Sequence, residues 1–178
     1  MSDFWDTDLR VRLDAALQAR SEQQRGRLFE ELICQMFGSI PGMSVIARNV
    51  FTAGRSQEVD ILIGHDSRLS EISFLPDFIL VECKNWSWPV SSMEVAWFDR
   101  KVKQRGLDLG ILVAAHGVTG EQRERTFAHE IISWALAERR RLIVITSIDL
   151  TRLTSGNELV ALIWSKLGVL HGGGMSLL

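Results

Sequence analysis

Three charged residues stand in runs that are otherwise apolar and strand-forming. Asp60 lies in Glu58-Val59-Asp60-Ile61-Leu62-Ile63, and Glu82 and Lys84 lie in Ile79-Leu80-Val81-Glu82-Cys83-Lys84. Side chains alternate between the two faces of a strand. Val59, Ile61 and Ile63 therefore share one face of the first run, and Glu58 and Asp60 the other. In the second run Ile79, Val81 and Cys83 form the apolar face, while Glu82 and Lys84 point together to the opposite side. Charges in such surroundings are costly to desolvate unless they are paired or bound to a metal. Two carboxylates suit a hard cation such as Mg²⁺, which takes carboxylate and carbonyl oxygens and keeps several waters. The backbone carbonyl of Cys83 can supply a third ligand. A lysine beside them suits chemistry at phosphorus, where it positions the attacking water or offsets developing phosphate charge. Glu82 and Lys84 alone would ordinarily read as a solvated edge pair. Asp60, on a neighbouring strand, and an acidic helix upstream favour the site.

The elements that must hold these residues are legible from their ends. Ser21…Gln24, Ser91…Glu94, Thr119…Gln122 and Ser155…Glu158 each have the spacing of a capping box, in which two side chains satisfy two orphan backbone donors. The stripe Leu28, Phe29, Leu32, Ile33, Met36 and Phe37 predicts a helix ended by Gly38 and Pro41. Val95, Phe98 and Val102 predict one over Ser92–Arg105, ended by Gly106. Phe127, Ile131 and Trp134 mark a third, and Leu159, Leu162 and Ile163 a fourth, ended by Gly168. Asp8 to Ala19 reads as a further helix. Strands are expected at Met43–Val50, Glu58–Ile63, Phe78–Lys84, Leu109–Ala115 and Leu142–Thr146. The turn Thr52-Ala53-Gly54-Arg55 joins the first two as a hairpin. The third and fourth flank a capped helix, which makes a parallel βαβ crossover. The order α-β-β-β-α-β-α-β-α specifies an α/β protein with a mixed sheet flanked by helices.

On these residues the chain resembles the PD-(D/E)xK nuclease superfamily, and most nearly its Mrr-type restriction branch. The hairpin EVDILI followed by ILVECKNW carries the likeness. So does the helix Gly26-Arg27-Leu28-Phe29-Glu30-Glu31-Leu32, which matches the branch's G-x-x-F-E-x-L pattern. The resemblance spans roughly residues 25 to 120 and implies a restriction-endonuclease-like fold with an α-β-β-β-α-β core. It implies a metal site at Asp60 and Glu82 with Lys84 as the catalytic lysine. Gln57-Glu58-Val59 stands where the family's nominal proline would be. The literal Pro76-Asp77 is a decoy, because a rise of roughly 3.3 Å per residue puts Asp77 about 16 Å from Glu82. Glu30 is a further candidate, and it reads equally well as a rim charge on its helix. Gln104 is another, since a polar residue of the following helix often approaches the site in this family. A solvated basic helix end is its alternative. Trp86 and Trp88 suit either stacking on an unpaired base or covering the end of a core. His65 and His116 read as loop caps, and Arg139-Arg140-Arg141 as a solvated helix end.

Composition sets the outer bounds. The chain has 178 residues, 46% of them apolar and 24% charged, which suits one domain with a sizeable core. We expect a single domain over residues 1–170 with its core at about 22–146, and a disordered tail over 171–178. No apolar run approaches the roughly 20 residues that span a bilayer, and the acidic, polar start does not look like a signal peptide. Cys34 and Cys83 are isolated thiols, which suits a reducing cytoplasm. The net charge is −2 and the pI about 6.1, so any nucleic acid must meet a local basic patch. Arg100, Lys101 and Lys103 are the expected patch. The function these features and the resemblance imply is a metal-dependent endonuclease with Mg²⁺, for which Mn²⁺ can substitute. Its substrate would be double-stranded DNA and its setting restriction, defence or repair. A homodimer would cut both strands, alone or within a larger defence complex. The alternative is a noncatalytic nuclease-like module that binds nucleic acid or assembles a complex.

Overall fold

The computed structural model describes residues 5, 8–51, 58–118 and 122–173. Its elements run α1 (Leu9–Gln18), α2 (Glu22–Gly38), β1 (Met43–Phe51), β2 (Glu58–His65), β3 (Phe78–Lys84) and α3 (Ser92–Gln104). They continue with β4 (Leu109–Ala114), α4 (Gln122–Ala137), β5 (Arg141–Thr146), α5 (Ser147–Leu150) and α6 (Gly156–His171). The five strands form one sheet in the order β1-β2-β3-β4-β5. β1, β2 and β3 pair antiparallel, and β3, β4 and β5 pair parallel. This is the mixed α/β sheet that the sequence specifies, with β3 as the seam between its two halves. The βαβ crossover through α3 is present as expected.

Local chemistry fixes the helix starts. The hydroxyls of Ser21, Ser91 and Ser155 accept the backbone N–H groups of Gln24, Glu94 and Glu158 at 3.1, 3.3 and 3.2 Å. The cap expected at Thr119 and the turn expected at Thr52–Arg55 lie outside the described residues. The sequence reading missed the reciprocal box at Thr146 and Asp149, which opens the one-turn α5. Gly168 does not end α6. The helix continues to His171, the first residue of the expected tail, while residues 174–178 lie outside the described residues.

Two faces differ from expectation. In α4 the buried residues are Ala128, Ile132 and Ala135, whereas Phe127 and Trp134 are exposed. The small alanines let the helix sit close to its neighbours, and the aromatics are turned outward. Arg140, expected to be solvated, is buried because its guanidinium bridges Asp99 and Glu138. Arg141 begins β5 and donates to the Phe74 carbonyl.

Two residues set how the helices meet the sheet around β3. Gly110 of β4 lies under α3. A Cβ there would stand 2.7 Å from Val102 Cγ2, 2.8 Å from Phe98 Cζ and 2.9 Å from Leu142 Cδ2. The absence of a side chain therefore lets α3 approach the face that carries Leu80 and Glu82. Asn85, directly after β3, is buried, and its amide donates to the carbonyls of Ala16 and Arg25 at 2.9 and 3.1 Å. It ties the end of β3 to α1 and to the first turns of α2.

Candidate active site

The register of β2 and β3 ends at the pair Ile61–Val81. One step further, Asp60 stands across from Glu82, and residues directly opposite on paired strands present side chains to the same face. The backbones do not continue their ladder there. Instead the Asp60 carboxylate reaches over the gap and accepts the N–H of Cys83 at 2.9 Å. A residue's N–H and C=O point the same way along a strand edge, so the Cys83 carbonyl faces this fork too. The carbonyl of Lys84, the next residue, points the other way and accepts the N–H of Ala115, just past β4.

The Glu82 side chain is only 4% exposed and is held by two lysines. Lys101 places its ammonium 2.7 and 2.6 Å from the two carboxylate oxygens, and Lys84 lies 3.1 Å from Oε1. Glu94, at the start of α3, lies 3.5 Å from Lys84. An alternating chain of charge, Glu94–Lys84–Glu82–Lys101, thus crosses between β3 and α3, with Asp60 beside it. Lys101 and Glu94 are seven residues apart, two turns of one helix face, which is how a single helix supplies both ends.

Burial shifts these groups as their environment requires. The Asp60 carboxyl is pushed up to about 7, first by burial and then by the charge of Glu82. The Cys83 N–H and the two lysines oppose the shift. Burial pulls the Lys84 ammonium down, but Glu82, Glu94 and Asp60 outweigh it and hold its pKa above the ordinary lysine value. The Cys83 thiol is raised well above its usual range by burial and by Asp60, so it stays protonated and is no thiolate ligand.

A raised carboxylate pKa has a stability consequence with a definite sign. In the unfolded chain Asp60 loses its proton near 3.8, and in the metal-free fold near 7. Its contribution to stability is therefore complete below the first value and is lost as pH rises through the second. Between pH 5.5 and 7 the loss should reach about 2 kcal/mol at about 1.36 kcal/mol per unit. Asp60→Asn keeps an acceptor for Cys83 and removes the charge. In urea unfolding with EDTA at pH 5.5 and 8, the variant should gain on the wild type as pH rises. Parallel stability at the two pH values would contradict this.

Asp60, Glu82, Lys84 and the Cys83 backbone are brought together. Glu30 is engaged elsewhere, accepting from Asn49 Nδ2 at 3.0 Å and facing Arg48 at 3.5 Å. Among the described residues no three His, Cys, Asp or Glu side chains are grouped to hold a metal ion. Gln104 is exposed at the last turn of α3, while Lys101, one turn earlier, reaches the carboxylate. The expected basic patch is mostly committed within the chain. Lys101 holds Glu82, Lys103 pairs with Glu138 at 2.8 Å, and Arg100 lies over the Trp97 ring. Trp86 packs beneath the lysine, whose ammonium is 5.0 Å from its ring centroid, and Trp88, 6.0 Å from Trp86, is exposed. His116 is exposed, and His65 is buried against Ser70. Asp77 immediately precedes β3 at its opposite end, where its carbonyl accepts the N–H of His65.

The donor set fits a small hard cation. Mg²⁺ is commonly held by one or two carboxylates, with waters and substrate phosphate completing its shell. Two carboxylates and a backbone carbonyl are present, and burial, with the charge of Glu82 second, disfavours ionised Asp60 in the absence of a cation. Among the described residues no helix is long and apolar enough to cross a membrane.

A family model described as a restriction endonuclease, that of the Mrr catalytic domain, matches residues 21–152 of the chain. No curated protein and no solved structure matches significantly.

Proposed function

The chain belongs to this restriction endonuclease family, and on that premise we propose that it is a metal-dependent endonuclease hydrolysing phosphodiester bonds of double-stranded DNA. The observation that carries the proposal is the fork between β2 and β3, where Asp60 and Glu82 share a face beside Lys84. Asp60, Glu82 and the Cys83 carbonyl hold Mg²⁺, or Mn²⁺ in its place. When bound, the cation polarises a phosphoryl oxygen and lowers the pKa of a coordinated water. The protein's own groups do the rest. Lys84, kept charged by its acidic neighbours, sets positive charge against the oxygens that become most negative as phosphorus gains a fifth substituent. Trp86 backs the lysine and limits its excursions. Asn85 fixes the strand end from which both project. Glu30 takes a supporting place at a distance, through Arg48 and Asn49 on β1.

The described residues offer one such site, so cutting both strands calls for a pair of chains related by a two-fold axis. Restriction, defence or repair in the cytoplasm is the setting we propose. Incubation with supercoiled plasmid should give nicked and linear products with Mg²⁺ or Mn²⁺ and none with excess EDTA. Cleavage that survives EDTA would refute a metal-dependent mechanism. Intact plasmid together with cation-independent DNA binding would favour the noncatalytic module instead.

A further inference from the structure

Glu82 carries more cation than it needs. Lys84, two residues away on the same face, already meets one oxygen at 3.1 Å. Lys101 arrives from α3 and takes both oxygens at 2.6 and 2.7 Å. Each acceptor position that an ammonium occupies is one a metal cannot use, so Lys101 competes for the positions a cation would take. The charges of the site support the same conclusion. Three carboxylates, Asp60, Glu82 and Glu94, stand against the two ammoniums of Lys84 and Lys101, a formal balance of one negative charge. A divalent cation turns this to one net positive charge, which a phosphodiester then cancels. Lys101 is also placed to move. Its side chain is 16% exposed against 4% for Glu82, so part of it reaches solvent, on a flexible four-carbon stem.

We propose that Lys101 is a displaceable counter-ion, which holds Glu82 in the free protein and passes to a DNA phosphate when substrate docks. DNA binding and cation binding at this site are thereby coupled. The inference rests on the reading of Asp60 and Glu82 as metal ligands, and goes beyond it by giving the site an order of assembly. In the free protein the cation must displace an ammonium. In the DNA complex the phosphate has drawn that ammonium away. Coupling of this kind is reciprocal, so a cation should strengthen DNA binding by the factor by which DNA strengthens cation binding.

The test is calorimetric titration of the full chain with Mn²⁺, beside anisotropy of a labelled short DNA duplex measured in EDTA and in Ca²⁺. Lys101→Met should bind Mn²⁺ on the order of tenfold more tightly than wild type, because a like charge near the cation is gone. The factor by which Ca²⁺ strengthens DNA binding should fall toward one. Lys101→Arg, which keeps the charge, should bind Mn²⁺ as weakly as wild type. Should Lys101→Met not fold, Lys101→Gln carries the same comparison, since its amide donates to Glu82 without charge. Mn²⁺ binding no tighter in the neutral variants, or an unchanged Ca²⁺ factor, overturns the proposal. Glu82→Gln separates this from a failure of the site itself. Loss of Mn²⁺ binding there upholds the ligand assignment, whereas unchanged binding overturns that assignment and this inference with it.

Discussion

Plasmid cleavage should disappear in Asp60→Asn, Glu82→Gln and Lys84→Met, but for different reasons that separate measurements resolve. The first two remove a ligand charge and should lose Mn²⁺ binding together with activity. Lys84→Met removes no ligand. It should retain Mn²⁺ and lose cleavage by on the order of a hundredfold to a thousandfold, the usual cost of deleting one preorganised positive group from a transition state. The folded states should also move in opposite directions. Asp60→Asn relieves a carboxylate whose pKa stands at about 7, so it should stabilise the metal-free protein at pH 8. Glu82→Gln leaves two partly buried lysines facing a neutral amide, and breaking a buried pair from one side costs about 3–5 kcal/mol. Calorimetry with Mn²⁺, thermal melting in EDTA and a plasmid nicking assay make up the set. Undiminished cleavage by Lys84→Met would remove the lysine from the mechanism.

The second large effect is structural and lies away from the carboxylates. Gly110→Val should destabilise the chain by more than about 3 kcal/mol, at or beyond the upper end of overpacking penalties. The added atoms would meet Val102, Phe98 and Leu142 within 3 Å, and all three side chains are buried, so none has room to yield. Where the fold survives, α3 must lift away from the sheet. Its Lys101 and Glu94 then leave Glu82 and Lys84, and cleavage should fall although every charged residue is intact. Gly26→Ala is the contrast. A Cβ there meets nothing within 4 Å, and glycine inside a helix is worse than alanine by about 1 kcal/mol, so that variant should be neutral or stabilising. Urea unfolding of the two variants gives the comparison. A Gly110→Val protein as stable as wild type would show that α3 does not depend on this close approach.

The parts of the site that sequence made legible are those governed by a short period. Asp60, Glu82 and Lys84 stood out because a strand alternates, and a charge on the wrong beat of an apolar run is visible within six residues. The serine caps were legible for the same reason, since the bond spans three positions. Contacts made across the fold were not. Lys101 lies on what a helical wheel treats as a polar face, and only the position of α3 over Gly110 shows that this flank meets Glu82. Gln104 shares the wheel sector but lies a turn further along the axis, which a wheel does not record. Arg140 looked solvated because its partner Asp99 is 41 positions earlier. The outward aromatics of α4 misled because large apolar residues dominate a hydrophobic stripe, whereas alanines face the core wherever elements approach closely.

The strand order β1-β2-β3-β4-β5 has a further meaning for how the molecule is made. Each strand pairs with the one that precedes it in the chain, so no strand must wait for a distant segment or be threaded between two others. Pairing only between strands consecutive in sequence keeps the closing loops shorter than a rearranged order would, which favours folding. Asp60, Glu82 and Lys84 all lie within residues 58–84, in β2 and β3. Lys101 follows in α3, and β4 completes the pairing of β3. A nascent chain that has reached Ala114 thus already carries every residue of the fork, while α4, β5 and α6 are still to be translated. Synthesis from the N-terminus therefore delivers the residues of the fork before the helices that finish the core.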